Sequence, residues 1–131
     1  MKKIFACPHC HAVLNPSVKI LLVVGHKRRK GMILLSPQPG NYKYICDESF
    51  EENLQVGDKL KFSCPVCSKS MTSSRNKNFV AMVMTTPGQE PQRVEFSRLY
   101  GKNATFVYDS DGVKAYGDDV DDSGSTNFFG A

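Results

Sequence analysis

Cys7-Pro8-His9-Cys10 and Cys64-Pro65-Val66-Cys67 hold four of the five cysteines of the chain in two nearly identical tetrapeptides. A Cys-x-x-Cys loop turns its backbone so that both sulfurs converge on one ion while amide N–H groups point at them. Two such loops complete a tetrahedral four-thiolate site. The pattern therefore predicts a fold built around one metal ion, with zinc as the default occupant and Cys7, Cys10, Cys64 and Cys67 as ligands. A four-thiolate iron site of the rubredoxin kind uses the same paired loops and stays open as an alternative. Rubredoxins are shorter and carry core tryptophan, which this chain lacks.

Other uses of paired cysteines fit less well. Structural disulfides need an oxidising compartment. The start, Met1-Lys2-Lys3-Ile4-Phe5-Ala6, is too short in apolar residues for a secretory signal, and nothing later reaches membrane-spanning length, so a cytoplasmic location is expected. A thioredoxin-like redox pair needs a helix after its first cysteine, and Pro16 comes too soon for one. Cys7 to His11 also satisfies the Cys-x-x-Cys-His pattern of c-type haem attachment, but that chemistry requires export, and the second pair is followed by Ser68.

With 131 residues the chain is one domain or two small halves sharing a core. Its net charge is only +4, but the distribution is segregated: every charged side chain before Asp47 is Lys or Arg, histidines aside, whereas from Asp109 onward all are Asp except Lys114.

The rest reads as strands and turns, giving an all-β class. Residues 18–24, aliphatic apart from Lys19, and 32–35 are runs joined by His26-Lys27-Arg28-Arg29-Lys30, a hairpin with a basic tip. Residues 42–46 form a third strand, residues 47–55 a loop or short helical turn, and residues 59–63 a half-buried strand that delivers Cys64. After the second cysteine pair the order recurs: an apolar run at 79–85, a turn through Pro87 and Pro91, and strands at 93–97, 104–108 and 113–116. Leu14 falls opposite Met71, Ser36 opposite Ser97, and Tyr44-Ile45-Cys46-Asp47 opposite Phe106-Val107-Tyr108-Asp109. The expectation is a zinc-stapled domain over 1–117 made of two similar β units, 1–58 and 59–117, each a cysteine loop, a hairpin and a third strand.

The repeat isolates the basic tip. The equivalent turn in the second half carries Glu90 as its sole charge, so the architecture does not require cations there. Lys27, Arg28, Arg29 and Lys30 are expected to contact the phosphates of RNA or DNA, against the simpler reading of charges that keep a strand edge from pairing with other chains. Lys2, Lys3, Lys19, Lys43, Arg75 and Lys77 are candidates to extend the patch, and Tyr42 and Tyr44 are either base-stacking residues or half of a core face. Cys46, set beside Tyr44 and Ile45, reads as a small buried hydrophobe.

The Cys-Pro-x-Cys loops, with Leu14-Asn15-Pro16 after the first, resemble those of the zinc-ribbon superfamily and the N-terminal zinc ribbons of small bacterial proteins. His11 and Ser68 stand where zinc ribbons usually place a glycine of positive φ. The resemblance implies an elaborated zinc ribbon and a role in transcription, translation or protein assembly.

Residues 118–131 are expected to form an acidic, disordered tail ending in Phe128-Phe129, an aromatic pair suited to a protein partner or to the protein's own surface. No nucleophile, histidine and carboxylate stand in a suggestive pattern, and no phosphate-binding glycine loop is visible, so a non-enzymatic protein is expected. Nucleic-acid binding through the tip competes with a protein adaptor working through sheet edges and the tail.

Overall fold

Ile20, Leu22 and Val24 are buried while Leu21 and Val23 are half-buried, the period-two pattern of a strand with one face in a core. The structure, a computed structural model, describes residues 3–109 and 111–120. The expected Phe128 and Phe129 contacts, and the tail from 121 onward, lie outside the described residues.

Among the described residues, nine strands and one short helix follow in order: β1 Ile4–Ala6, β2 Ile20–His26, β3 Arg29–Leu35, β4 Tyr44–Cys46, α1 Glu48–Glu51, β5 Lys61–Ser63, β6 Phe79–Thr85, β7 Gln92–Ser97, β8 Thr105–Asp109 and β9 Gly112–Tyr116. The class is all-β, as the alternation predicts. The strands form two antiparallel sheets, β4-β3-β2-β5 and β1-β6-β7-β8-β9. In α1, Asp47 caps the N-terminus by accepting the Ser49 N–H, and buried Phe50 packs on Gly31.

The two sheets share a register. Phe62 of β5 lies opposite Val24, and Phe5 of β1 lies opposite Met84. Leu22 pairs with Ile33 and Met82 with Val94. All eight side chains are buried in one core cluster that spans both sheets and includes Cys7 and Cys64.

Two features differ from the sequence reading. Each strand that leads into a cysteine pair joins the hairpin of the other half: β1 pairs with β6, and β5 with β2. Hydrophobic pattern fixes which face a strand buries but not which edge it joins, and this exchange is therefore invisible in it. The second difference is a one-residue slip. Ile33 lies opposite Cys46 and Val94 opposite Val107, so the counterpart of Cys46 is Val107 rather than Tyr108. A shift by one turns every side chain to the other face, and burial decides between the two alignments.

Candidate metal centre and basic hairpin

Each cysteine loop is a turn closed by the same bonds. After β1, the Cys7 N–H donates to the Ala12 carbonyl at 3.0 Å and the His11 N–H to the Cys7 carbonyl at 2.9 Å. After β5, the Cys64 N–H donates to the Lys69 carbonyl at 3.1 Å and the Ser68 N–H to the Cys64 carbonyl at 3.0 Å. Both loops turn back through a left-handed residue, His11 at φ 65° and Ser68 at φ 66°. These are the two positions where the zinc-ribbon resemblance implies positive φ. Neither residue is glycine, and the strain is held by the paired strand on each side.

The loops aim amide hydrogens at sulfur. The His9 N–H lies 3.3 Å from Cys7 Sγ, and the N–H groups of Val66 and Cys67 lie 3.3 Å and 3.5 Å from Cys64 Sγ. Such donors stabilise thiolate over thiol. All four sulfurs fall within 4.8 Å of one another. Cys7 Sγ is 3.8 Å from Cys67 Sγ, and Cys10 Sγ is 3.7 Å from Cys64 Sγ. A tetrahedron with metal–sulfur bonds near 2.3 Å has edges of about 3.8 Å. The donor set and its spacing thus fit a four-coordinate ion, and the separations are far too long for a disulfide bond of about 2.05 Å. Cys7 and Cys64 are buried in the core, while Cys10 is exposed and Cys67 half-buried.

Crowding shows in the thiol acidities. Burial opposes ionisation of Cys64, but the Cys67 and Val66 amides and the neighbouring thiols outweigh it and bring the thiol down to about 7. For Cys10 the Ala12 backbone lowers the value, yet desolvation and the three other sulfurs together push it up to about 11. Four sulfurs without a cation cannot all carry charge, and a dication relieves that conflict. His9 stays outside the cluster; its Nε2 lies 3.1 Å from the Ser70 carbonyl and bridges the two loops.

The basic tip is a two-residue turn. His26 pairs with Arg29, leaving Lys27 and Arg28 at the end, with Lys27 at φ 56°. Lys27, Arg28, Arg29 and Lys30 are all exposed. Arg29 and Lys30, being consecutive in a strand, face opposite sides of the sheet. On the side of Arg29 lies Asp47, whose carboxyl is held below its usual value by the Ser49 hydroxyl and amide and, to a lesser degree, by Arg29. On the other side, Lys30 and Lys61 both lie opposite Gly25, so the two lysines form one row across β3, β2 and β5. Both line a shallow depression of about 120 Å³ that runs to Cys64 and Pro65. Lys61 is the cation missing from the sequence reading of the patch, though its alternation with Phe62 in β5 marks it as outward-facing.

Arg75, Tyr42 and Tyr44 make their contacts away from the tip. Arg75 stacks over the Tyr108 ring at 5.9 Å, on the second sheet. Tyr42 donates to the Tyr116 carbonyl at 3.0 Å and lies 2.8 Å from the Thr105 hydroxyl. Tyr44 donates to Glu51. Both tyrosines are thus tied into the region where the two sheets meet. Cys46 is half-buried against the core, and burial raises its thiol pKa.

Comparison with known proteins gives no match: no family model, no curated protein and no solved structure aligns with the chain. The likeness to zinc ribbons therefore rests on the four-cysteine cluster and the two loops that form it.

Proposed function

We propose that the protein is a non-enzymatic, zinc-stapled cytoplasmic module that binds RNA or DNA through the β2–β3 turn. The observation that carries this reading is the exposed run Lys27, Arg28, Arg29 and Lys30 at a turn whose counterpart between β6 and β7 bears only Glu90, joined on one face by Lys61. No described ion pair occupies these cations, which leaves them available to phosphates. Four thiolates fill a tetrahedral ion, so the metal has a structural role and no open position for substrate or water. No helix among the described residues is long and apolar enough to cross a membrane.

The test replaces Lys27, Arg28, Arg29 and Lys30 together with serine and measures binding to a single-stranded RNA and a DNA duplex across salt concentrations. Affinity should drop, and the slope of log K against log salt should flatten by roughly 3 units for four lost phosphate contacts. Unchanged binding and slope contradict the reading.

A second reading, a protein-interaction adaptor, is favoured by the outer face of the first sheet. There Leu21, Val23, Met32, Leu34 and Ile45 stand side by side by register, with Met32 47% and Ile45 57% exposed. Ile45→Lys should remove a protein partner and leave nucleic-acid binding intact if this reading holds.

A further inference from the structure

Between the two sheets, beside α1, lies a cavity of about 350 Å³ whose lining includes neither the four clustered cysteines nor the basic tip. Its floor draws on both sheets, with Ile33 and Phe62 from the first and Met82 and Val94 from the second, all four buried. The volume falls in the range of sites that enclose small organic ligands. A floor of this kind favours a hydrocarbon body, because burying apolar surface against it removes that surface from water.

The charged residues of the lining define the ligand's head. Three are cations, Lys43 exposed and Arg98 and Lys102 half-buried, and Glu51 is the single carboxylate. That carboxylate is already held, since Tyr44 and Tyr100 both donate their hydroxyls to its Oε2, the second at 2.8 Å. Asp119 is outside the lining and accepts the Asn103 N–H at 2.8 Å. Arg98 has no such match. It directly follows β7, whose Val94 and Phe96 also line the cavity. One arm of its guanidinium donates to the Thr72 hydroxyl at 2.8 Å, but its Nε is buried with no hydrogen-bond partner among the described residues, and no described ion pair holds the charge. A buried cationic N–H without an acceptor is costly, and an anionic acceptor placed beside it offsets that cost.

We infer that the cavity binds a small amphipathic carboxylate, with its hydrocarbon body between the sheets and its carboxylate accepting from Arg98 Nε. A charge-assisted bond of this kind selects the anion over a neutral or cationic head on the same chain, and the charges of Lys43 and Lys102 add to the same preference.

Isothermal titration of the metal-loaded protein with octanoate, octanol and octylamine below their aggregation concentrations tests this, with ¹³C-methyl methionine spectra to locate the site. Octanoate should bind at one saturable site, about tenfold more tightly than octanol, with octylamine weakest. The Met82 methyl, on the cavity floor, should shift on binding, while that of Met32, exposed on the outer face of the first sheet, should not. Arg98→Met should bring octanoate down to the level of octanol and leave octanol binding unchanged. Absence of saturable octanoate binding overturns the proposal, as does a shift at Met32 without one at Met82. Octanol or octylamine binding as tightly as octanoate also overturns it, and so does a preference for octanoate that survives Arg98→Met. The ranking and the methyl shifts are read on the parent protein, so they decide the matter whether or not Arg98→Met folds. None of these outcomes depends on whether the basic tip binds nucleic acid.

Discussion

Glu95 is fully buried on β7, where Arg93 holds it at 2.6 Å and the Ser73 hydroxyl donates to it at 2.7 Å. Arg93 also donates to Ser73 at 3.1 Å, so the three groups act as a unit. Arg93→Ala leaves a buried carboxylate without its countercharge, and a loss of about 3 kcal/mol in urea unfolding is expected. The Arg93→Ala/Glu95→Ala double variant should lose clearly less than the sum of the singles; additive losses contradict the coupling. Tyr108 nearby gives a pH signature. Burial and the Glu95 charge, against the opposing pull of Arg75 and Arg93, push its phenol from 10 up to about 12. A raised value in the folded state means that the contribution is complete below pH 10 and is lost as the pH rises toward 12. Melting temperatures measured from pH 9 to 12 should therefore fall less steeply for Tyr108→Phe than for the parent, and parallel curves contradict the assignment. The pair Arg93 and Glu95 was not legible as a site, because two charges on alternate residues of a strand read as a solvated face. Segment 73–78, which covers them, is recognisable only once the Ser73 N–H is seen bonded to the Phe79 carbonyl.

At the level of elements, the alternation of buried and half-buried residues made most strands readable, and the left-handed turns at His11 and Ser68 stand where the loop resemblance placed them. β1 was missed, since three residues beside a cysteine carry too little pattern to mark a strand. The exchange of β1 and β5 went unread for a related reason: pairing partners depend on chain path, not on composition. That exchange makes a sharp prediction. Phe5 belongs by sequence to the first half but is 2% exposed and lies opposite Met84 in the second sheet. Phe5→Ala should cost about 3 to 5 kcal/mol, and hydrogen exchange should accelerate first along β6 and β7. Acceleration confined to β2 and β3 would contradict the exchanged pairing.

Over the whole molecule, the exchange and the metal site describe one device. β1 ends in Cys7 and β5 ends in Cys64, so the strands that cross between the sheets also present the two cysteine loops to each other. Each sheet lacks an edge strand without the other half, and each is small enough that little apolar surface would be buried alone. A bound ion at the crossing contributes its binding free energy, on the order of 10 kcal/mol for structural zinc, to both sheets at once. The clustering of the four cysteines was legible because spacing and residue type suffice for it. That the ion joins two halves was an expectation from the repeat; the strand exchange at the joint became visible only with the register.

The most direct test is a chelator titration of the purified protein followed by ¹H–¹⁵N spectra, with resolved amides in β2 and β6 as reporters and released metal counted in the same samples. Loss of one metal ion per chain should remove the dispersed signals of both strands together, in a single step. Signals of either strand that persist after the metal has gone, or spectra that stay unchanged with no metal released, contradict the account of the ion as the joint between the sheets.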